Sequence, residues 1–148
     1  MGCVKIFAGV LAGLALAVVW VRRRVLVVTV DGVSMRPTFA DGDRVLVRKG
    51  RPVRRGDVVV LEPPLDPSGA YLPSGPGADG RYWNLKRAVA LAGDPVPPGI
   101  AGSDGHEAVP AGMLVVLGDN PDSVDSRQRG FYPADQVLGV VSRRINRH

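Results

Sequence analysis

Hydrophobic positions follow two different patterns, and the change comes at the arginines Arg22–Arg24. Upstream, Ile6–Val21 is an uninterrupted apolar run of 16 residues. As a helix it would span roughly 24 Å, a little short of a ~30 Å hydrocarbon core. Lys5 and Arg22 flank it and could snorkel to the interface, and Trp20 sits where an interfacial aromatic would. The run predicts a single N-terminal membrane anchor, residues 1–24. The Ala-Leu-Ala at 15–17 keeps open a second reading, a cleaved signal peptide.

Downstream the period shortens. Short Val/Leu runs at 25–30, 44–49, 57–62, 82–92, 113–119 and 137–145 are separated by Gly, Asp and Pro clusters. This spacing predicts a mainly β domain over 25–148 with about six or more strands. No helical period of useful length is expected after residue 24. Two Pro/Gly-rich connections, 63–81 and 93–112, exceed the usual loop length. They are expected either to serve the site or to form loose surface excursions.

Composition narrows the class. An apolar fraction of 45% with 22% charged residues suits a globular chain rather than a disordered one. The net charge of +5 is carried by arginine, since the lysines are Lys5, Lys49 and Lys86. The basic stretch 48–57 reads as a solvated face, or as a contact for anionic lipid headgroups beside an anchor. Sparse aromatics and the lack of a recognition motif argue against nucleic acid. The single cysteine, Cys3, excludes an intrachain disulfide.

Candidate chemistry emerges by elimination. His148 is the last residue and His106 lies in a Gly/Ser/Asp-rich loop, so neither suits the firmly held base of a Ser-His-Asp triad. No metal-ligand spacing and no phosphate-binding or dinucleotide-binding glycine motif occurs, so no metal and no cofactor is expected. Ser34, in Val30–Phe39 (VDGVSMRPTF), is either loop punctuation or a nucleophile. Lys86 lies in a strand of mostly apolar side chains, with Asn84 and Ala88 on its face by alternation. It is either an exposed lysine on an edge strand or a partly buried one, and burial would lower its pKa toward a usable base. The segment 118–127 (GDNPDSVDSR) is either a turn or the polar support of a site.

Taken in order behind the apolar run, GVSMRPTF, LKRAVALAGD and GDNPDSVDSR resemble the type I signal peptidases, the Ser-Lys membrane proteases, and GDVVV at 56–60 is similar to a further segment of that family. The resemblance covers roughly residues 4–142. It implies a β-rich signal-peptidase catalytic core at a membrane surface. It further implies Ser34 as nucleophile, Lys86 as general base and Met35 packed beside the dyad. Ser123 would orient the lysine amine, Asp119 would pair with Arg87, and Asp125 with Arg127. The third motif is one residue shorter than the common form between Asn120 and Ser123, which leaves Ser126 as the alternative orienting hydroxyl. Gly32 stands where some members carry a serine that donates to the oxyanion, so the second donor is open.

The implied substrates are exported preproteins with signal peptides, cut after small residues in an Ala-X-Ala pattern. The implied setting is the cell membrane, with lipid as a partner, a monomer, and the catalytic domain on the outer side. The positive-inside rule disagrees with that orientation, because Arg22–Arg24 outnumber Lys5 and the amino terminus. Other readings are a maturation protease of the same superfamily dedicated to one peptide, a self-cleaving Ser-Lys repressor, and a non-enzymatic membrane-anchored β module.

Overall fold

The computed structural model describes the backbone of residues 2–62 and 83–146, and side chains within those ranges apart from 2–9, 21–23 and 146. The loop expected at 63–81, His148 and the side chains of Cys3, Lys5, Arg22 and Arg23 therefore lie outside what is described. Helix α1 runs Gly2–Arg24 and is followed directly by strand β1, Val25–Thr29. The remaining elements are β2 Arg44–Arg48, β3 Val58–Leu61, β4 Asn84–Leu91, β5 Met113–Leu117, α2 Ser126–Arg129, β6 Tyr132–Pro133, a 3-10 turn Ala134–Gln136 and β7 Val137–Asn146.

The predicted anchor is helical, but among the described residues no helix is long and apolar enough to cross a membrane. Apart from Arg24, the side chains described on α1 run from Val10 to Trp20. A stretch of that length rises about 16 Å, roughly half a hydrocarbon core. Over this stretch Val10, Leu11, Leu14, Leu16, Val18, Val19 and Trp20 are exposed.

The strands form one seven-stranded antiparallel sheet in the order β1-β2-β7-β3-β4-β5-β6. Six of its strands follow the predicted Val/Leu runs, five with ends trimmed by one or two residues and β7 one residue longer than its run. Val30, for example, leaves the ladder to join the turn closed by Gly42 N–H on its carbonyl. The seventh, β6, has two residues and is too short to carry an alternation.

Register shifts in the β2–β7, β3–β7 and β4–β5 pairings bend the sheet. It buries both faces. One holds Val28, Val30, Met35, Phe39, Val45, Val47, Val58, Val60 and Leu85. The other holds Val59, Leu61, Ala88, Leu114, Val116, Tyr132 and Val140.

The excursion 93–112 is neither loose nor part of the candidate site. Ile100 and Val109 are buried with Ala90 and Val115 as a third small cluster. Gly93 and Val96 donate to Val109 and Glu107 across it, and Val109 donates to Asp94. Its glycines serve the turns, while its Ile and Val supply apolar area to β4 and β5. His106 is exposed, with its ring edge-on to Phe131 at 5.5 Å.

Candidate active site

Strand β4 carries Lys86 through the interior of the sheet, between β3 and β5, opposite Val59. Lys86 is 4% exposed, which removes the edge-strand reading. Alternation sets its stem on the face of Val59 and Ala88, an apolar wall that cannot solvate an ammonium. Burial accordingly lowers the Lys86 pKa from 10.5 to about 8. Asp125 opposes this shift by favouring the charged form, while Arg127 and Arg129 reinforce it. The Lys86 Nζ donates to Ser123 Oγ at 2.6 Å. Ser126 is occupied elsewhere, its Oγ accepting from Val116 N–H at 2.9 Å and tying α2 to β5. Of the two serines left open by the sequence, Ser123 is thus the one at the amine.

The segment after β5 delivers Ser123. Its organiser is Asp125, fully buried and N-cap of α2. A capping box closes there, with Asp125 accepting from the helix and Gln128 Oε1 accepting from Asp125 N–H at 3.0 Å. Asp125 also accepts from Gly118 N–H at 2.8 Å and is clamped by the Arg127 guanidinium at 2.9 and 2.7 Å. Burial pushes its carboxyl up, but these hydrogen bonds outweigh burial and hold it below the usual range. Arg127 also donates to the Pro121 carbonyl at 3.0 Å, so the turn and the helix cap share one cation.

Ser34 arrives from the other side, on the turn between β1 and β2. Gly32 has φ +85°, which explains glycine at that position, and its N–H donates to Asp41 Oδ1 at 2.8 Å. That N–H is therefore not an oxyanion donor here. Asn120 fastens the Ser34 turn to the β5 exit, with its N–H on the Ser34 carbonyl at 3.0 Å and its Nδ2 on the Val33 carbonyl at 3.1 Å. Met35 is fully buried in the cluster that includes Leu85, the neighbour of Lys86 on β4.

Gly118 shows how close the two sides come. A Cβ there would stand 2.2 Å from Ser123 Oγ and 2.6 Å from the Ser34 carbonyl oxygen. The lysine-bound hydroxyl and the Ser34 backbone thus converge over one bare Cα.

Around this point runs a polar strap. Arg87 holds Asp119 in two hydrogen bonds, 2.8 and 2.6 Å, and donates to the Gly56 carbonyl at 2.8 Å. Thr38, four residues after Ser34, donates its hydroxyl to the same carboxylate. The Arg87 hydrogen bond is the main reason the Asp119 carboxyl lies below its ordinary value. A depressed carboxyl contributes stability that is present above the unfolded value and is lost as pH falls through the folded one.

Farther out, Arg144 of β7 pairs with buried Asp43 at 3.1 Å, lies over the Phe39 ring and donates to the Thr38 carbonyl. Thr38, Asn120, Gly118, Asp43 and Arg144 were not singled out from sequence. The first three sit inside the quoted motifs, which was the available signal, whereas nothing local marks Asp43 or Arg144. Among the described residues no group of three His, Cys, Asp or Glu side chains could hold a metal ion.

Thr38→Val removes one hydrogen bond to an already doubly held carboxylate. The expected loss is about 1 kcal/mol of stability, with kcat reduced less than about tenfold and KM unchanged. Steady-state kinetics on the variant check this; a rise in KM with intact kcat would instead place Thr38 against substrate.

A buried lysine on a serine hydroxyl, with the backbone of a second serine converging on the same glycine from a tethered turn, is an arrangement suited to hydroxyl nucleophile chemistry without histidine. The description "signal peptidase, peptidase S26" matches residues 3–98 and 99–145. The chain belongs to that family, whose members are serine peptidases, and no curated protein matches it.

Proposed function

We propose that the chain is a membrane-bound serine endopeptidase that removes signal or leader peptides from exported proteins after small residues, using Ser34 and Lys86. The observation that carries this reading is Lys86: buried, lowered to about pKa 8, and donating to Ser123 Oγ at 2.6 Å. A neutral amine has two N–H donors and one lone pair. With Ser123 accepting one donor, the lone pair is left to take a proton from Ser34 Oγ. Ser34 then attacks the scissile carbonyl, and the protonated amine returns the proton to the leaving amine. Water hydrolyses the acyl-enzyme by the same route. Among the described residues the Ser34 N–H has no hydrogen-bond partner, which suits it to the developing oxyanion.

The anchor is assigned to α1, on the apolar run Ile6–Val21 and the exposed side chains between Val10 and Trp20. The catalytic domain is assigned to the outer side, where signal peptides emerge. Access to emerging signal peptides requires this side even though the arginines after the helix favour the other.

Ser34→Ala tests the reading on the full chain with a preprotein carrying an Ala-X-Ala site. Cleavage should fall to background while the far-UV spectrum and the unfolding midpoint stay near wild type. Turnover retained in this variant would remove Ser34 from the mechanism.

A further inference from the structure

We propose that the cleft where α1 meets the β1–β2 pair binds the phosphodiester headgroup of an anionic lipid. The cleft has a volume of about 480 Å³ and is lined by Trp20, Arg24, Val25, Arg48, Lys49 and Arg51, with Gly50 at the turn. It is a built junction. The Lys49 N–H donates to the Arg24 carbonyl at 2.8 Å, and the Arg24 guanidinium lies 5.4 Å from the Trp20 ring. Gly50 has φ +68°, and a Cβ there would stand 3.6 Å from Arg24 Nη1, so glycine shapes the turn beneath the guanidinium.

Charge is left over in this cleft. Elsewhere the arginines facing carboxylates are closely paired: Arg55 with Asp94 at 2.8 Å, Arg87 with Asp119 at 2.6 Å, Arg127 with Asp125 at 2.7 Å. Among the described residues no carboxylate pairs with Arg24, Arg48 or Lys49, and Arg51 reaches Asp57 only at 3.6 Å. The C-terminus of α1 adds about half a negative charge at one end, which four cationic side chains outweigh. An anion is the chemistry that relieves this field.

The wall decides which anion. Trp20 and Val25 give the cleft an apolar side beside its cations, which suits a phosphate attached to glycerol and acyl chains better than a free phosphate ion. The assignment rests on the reading of α1 as an anchor, because only then does the cleft lie at headgroup level.

The test uses the full chain reconstituted into phosphatidylcholine vesicles, with spin-labelled phosphatidylglycerol or phosphatidylcholine as the probe. Phosphatidylglycerol should be preferred at a saturable site. Arg48→Gln should lower that preference about fivefold, the effect of one cationic side chain near the membrane surface. Lys49→Gln should do the same if Arg48→Gln proves unstable. Arg55→Gln, outside the cleft, should leave the preference unchanged. Equal affinity for the two lipids in protein that has inserted overturns the headgroup site and leaves the anchor standing. Failure to co-sediment with either vesicle overturns the anchor and the site together. Displacement of the labelled lipid by inorganic phosphate would make the cleft a soluble-anion site and overturn the lipid assignment.

Discussion

Lys86→Met is expected to abolish cleavage and, at pH 7, to make the fold more stable. The side chain keeps most of the lysine stem and loses the charge that the wall of Val59 and Ala88 disfavours. The sign follows from the pKa: about 8 in the folded protein against 10.5 as the ordinary value. Below pH 8 both states carry the proton, and the folded state bears the full cost of the buried ammonium. That cost shrinks as pH rises from 8 to 10.5 and vanishes above. At about 1.36 kcal/mol per unit the cost is about 3 kcal/mol, and losing the hydrogen bond to Ser123 returns about 1 of it. The variant should therefore gain about 2 kcal/mol at pH 7 and lose that advantage by pH 10.5.

Urea unfolding of both proteins across this range measures the gap. A variant no more stable than wild type at pH 7 would mean that burial does not strain the lysine. In the wild type, cleavage should rise with pH along a limb centred near 8, as the amine loses its proton. Lys86→Arg should be inactive at every pH on that limb, because a guanidinium keeps its proton.

Gly118→Ala is expected to lower kcat about a hundredfold in a protein that still folds. The added methyl would overlap Ser123 Oγ and Cβ, at 2.2 and 2.3 Å, and the Ser34 carbonyl oxygen at 2.6 Å. The Ser123 hydroxyl can rotate away, but its Cβ moves only with its backbone, and the Ser34 contact is itself backbone, held by Asn120. Making room separates the Ser34 turn from the β5 exit. Overpacking of this kind costs about 1–3 kcal/mol. A shift of about 1 Å between reacting groups costs on the order of a hundredfold in rate. The decrease should fall on kcat, because the displaced groups are those proposed to react. Near-normal kcat in a folded Gly118→Ala protein would show that the turn and the strand exit need not touch.

Much of the sheet is readable locally because each buried strand spends its residues on Val and Leu, between turn formers. Pairing order is not readable this way. Nothing in Val137–Asn146 announces that it lies between β2 and β3, since the partners are distant in sequence. The site divides along the same line. Ser34, Lys86 and the polar segment could be found by residue type and order, and alternation on β4 placed Lys86 with Ala88. Whether Lys86 was buried depended on β5 beside it, which periodicity does not show. Gly118 passed as turn chemistry because its reason is a crowd of atoms from two other segments. The capping box Asp125–Gln128 was not read from sequence, because a one-turn helix offers no period to draw attention to its start.

The position of β7 has a consequence for biosynthesis. Ser34 belongs to the β1–β2 part of the sheet, and Lys86 and Ser123 to the part built from β3 to β6. The two parts are joined in the hydrogen-bonded order through β7, which is translated after both. A nascent chain that has emerged as far as Gln136 already carries every residue of the proposed site, yet its two halves have no strand between them. Proteolytic competence would then switch on in one step when β7 docks, and not grow with chain length. A ribosome stalled before Val137 would hold a peptidase that is complete in composition and silent in activity.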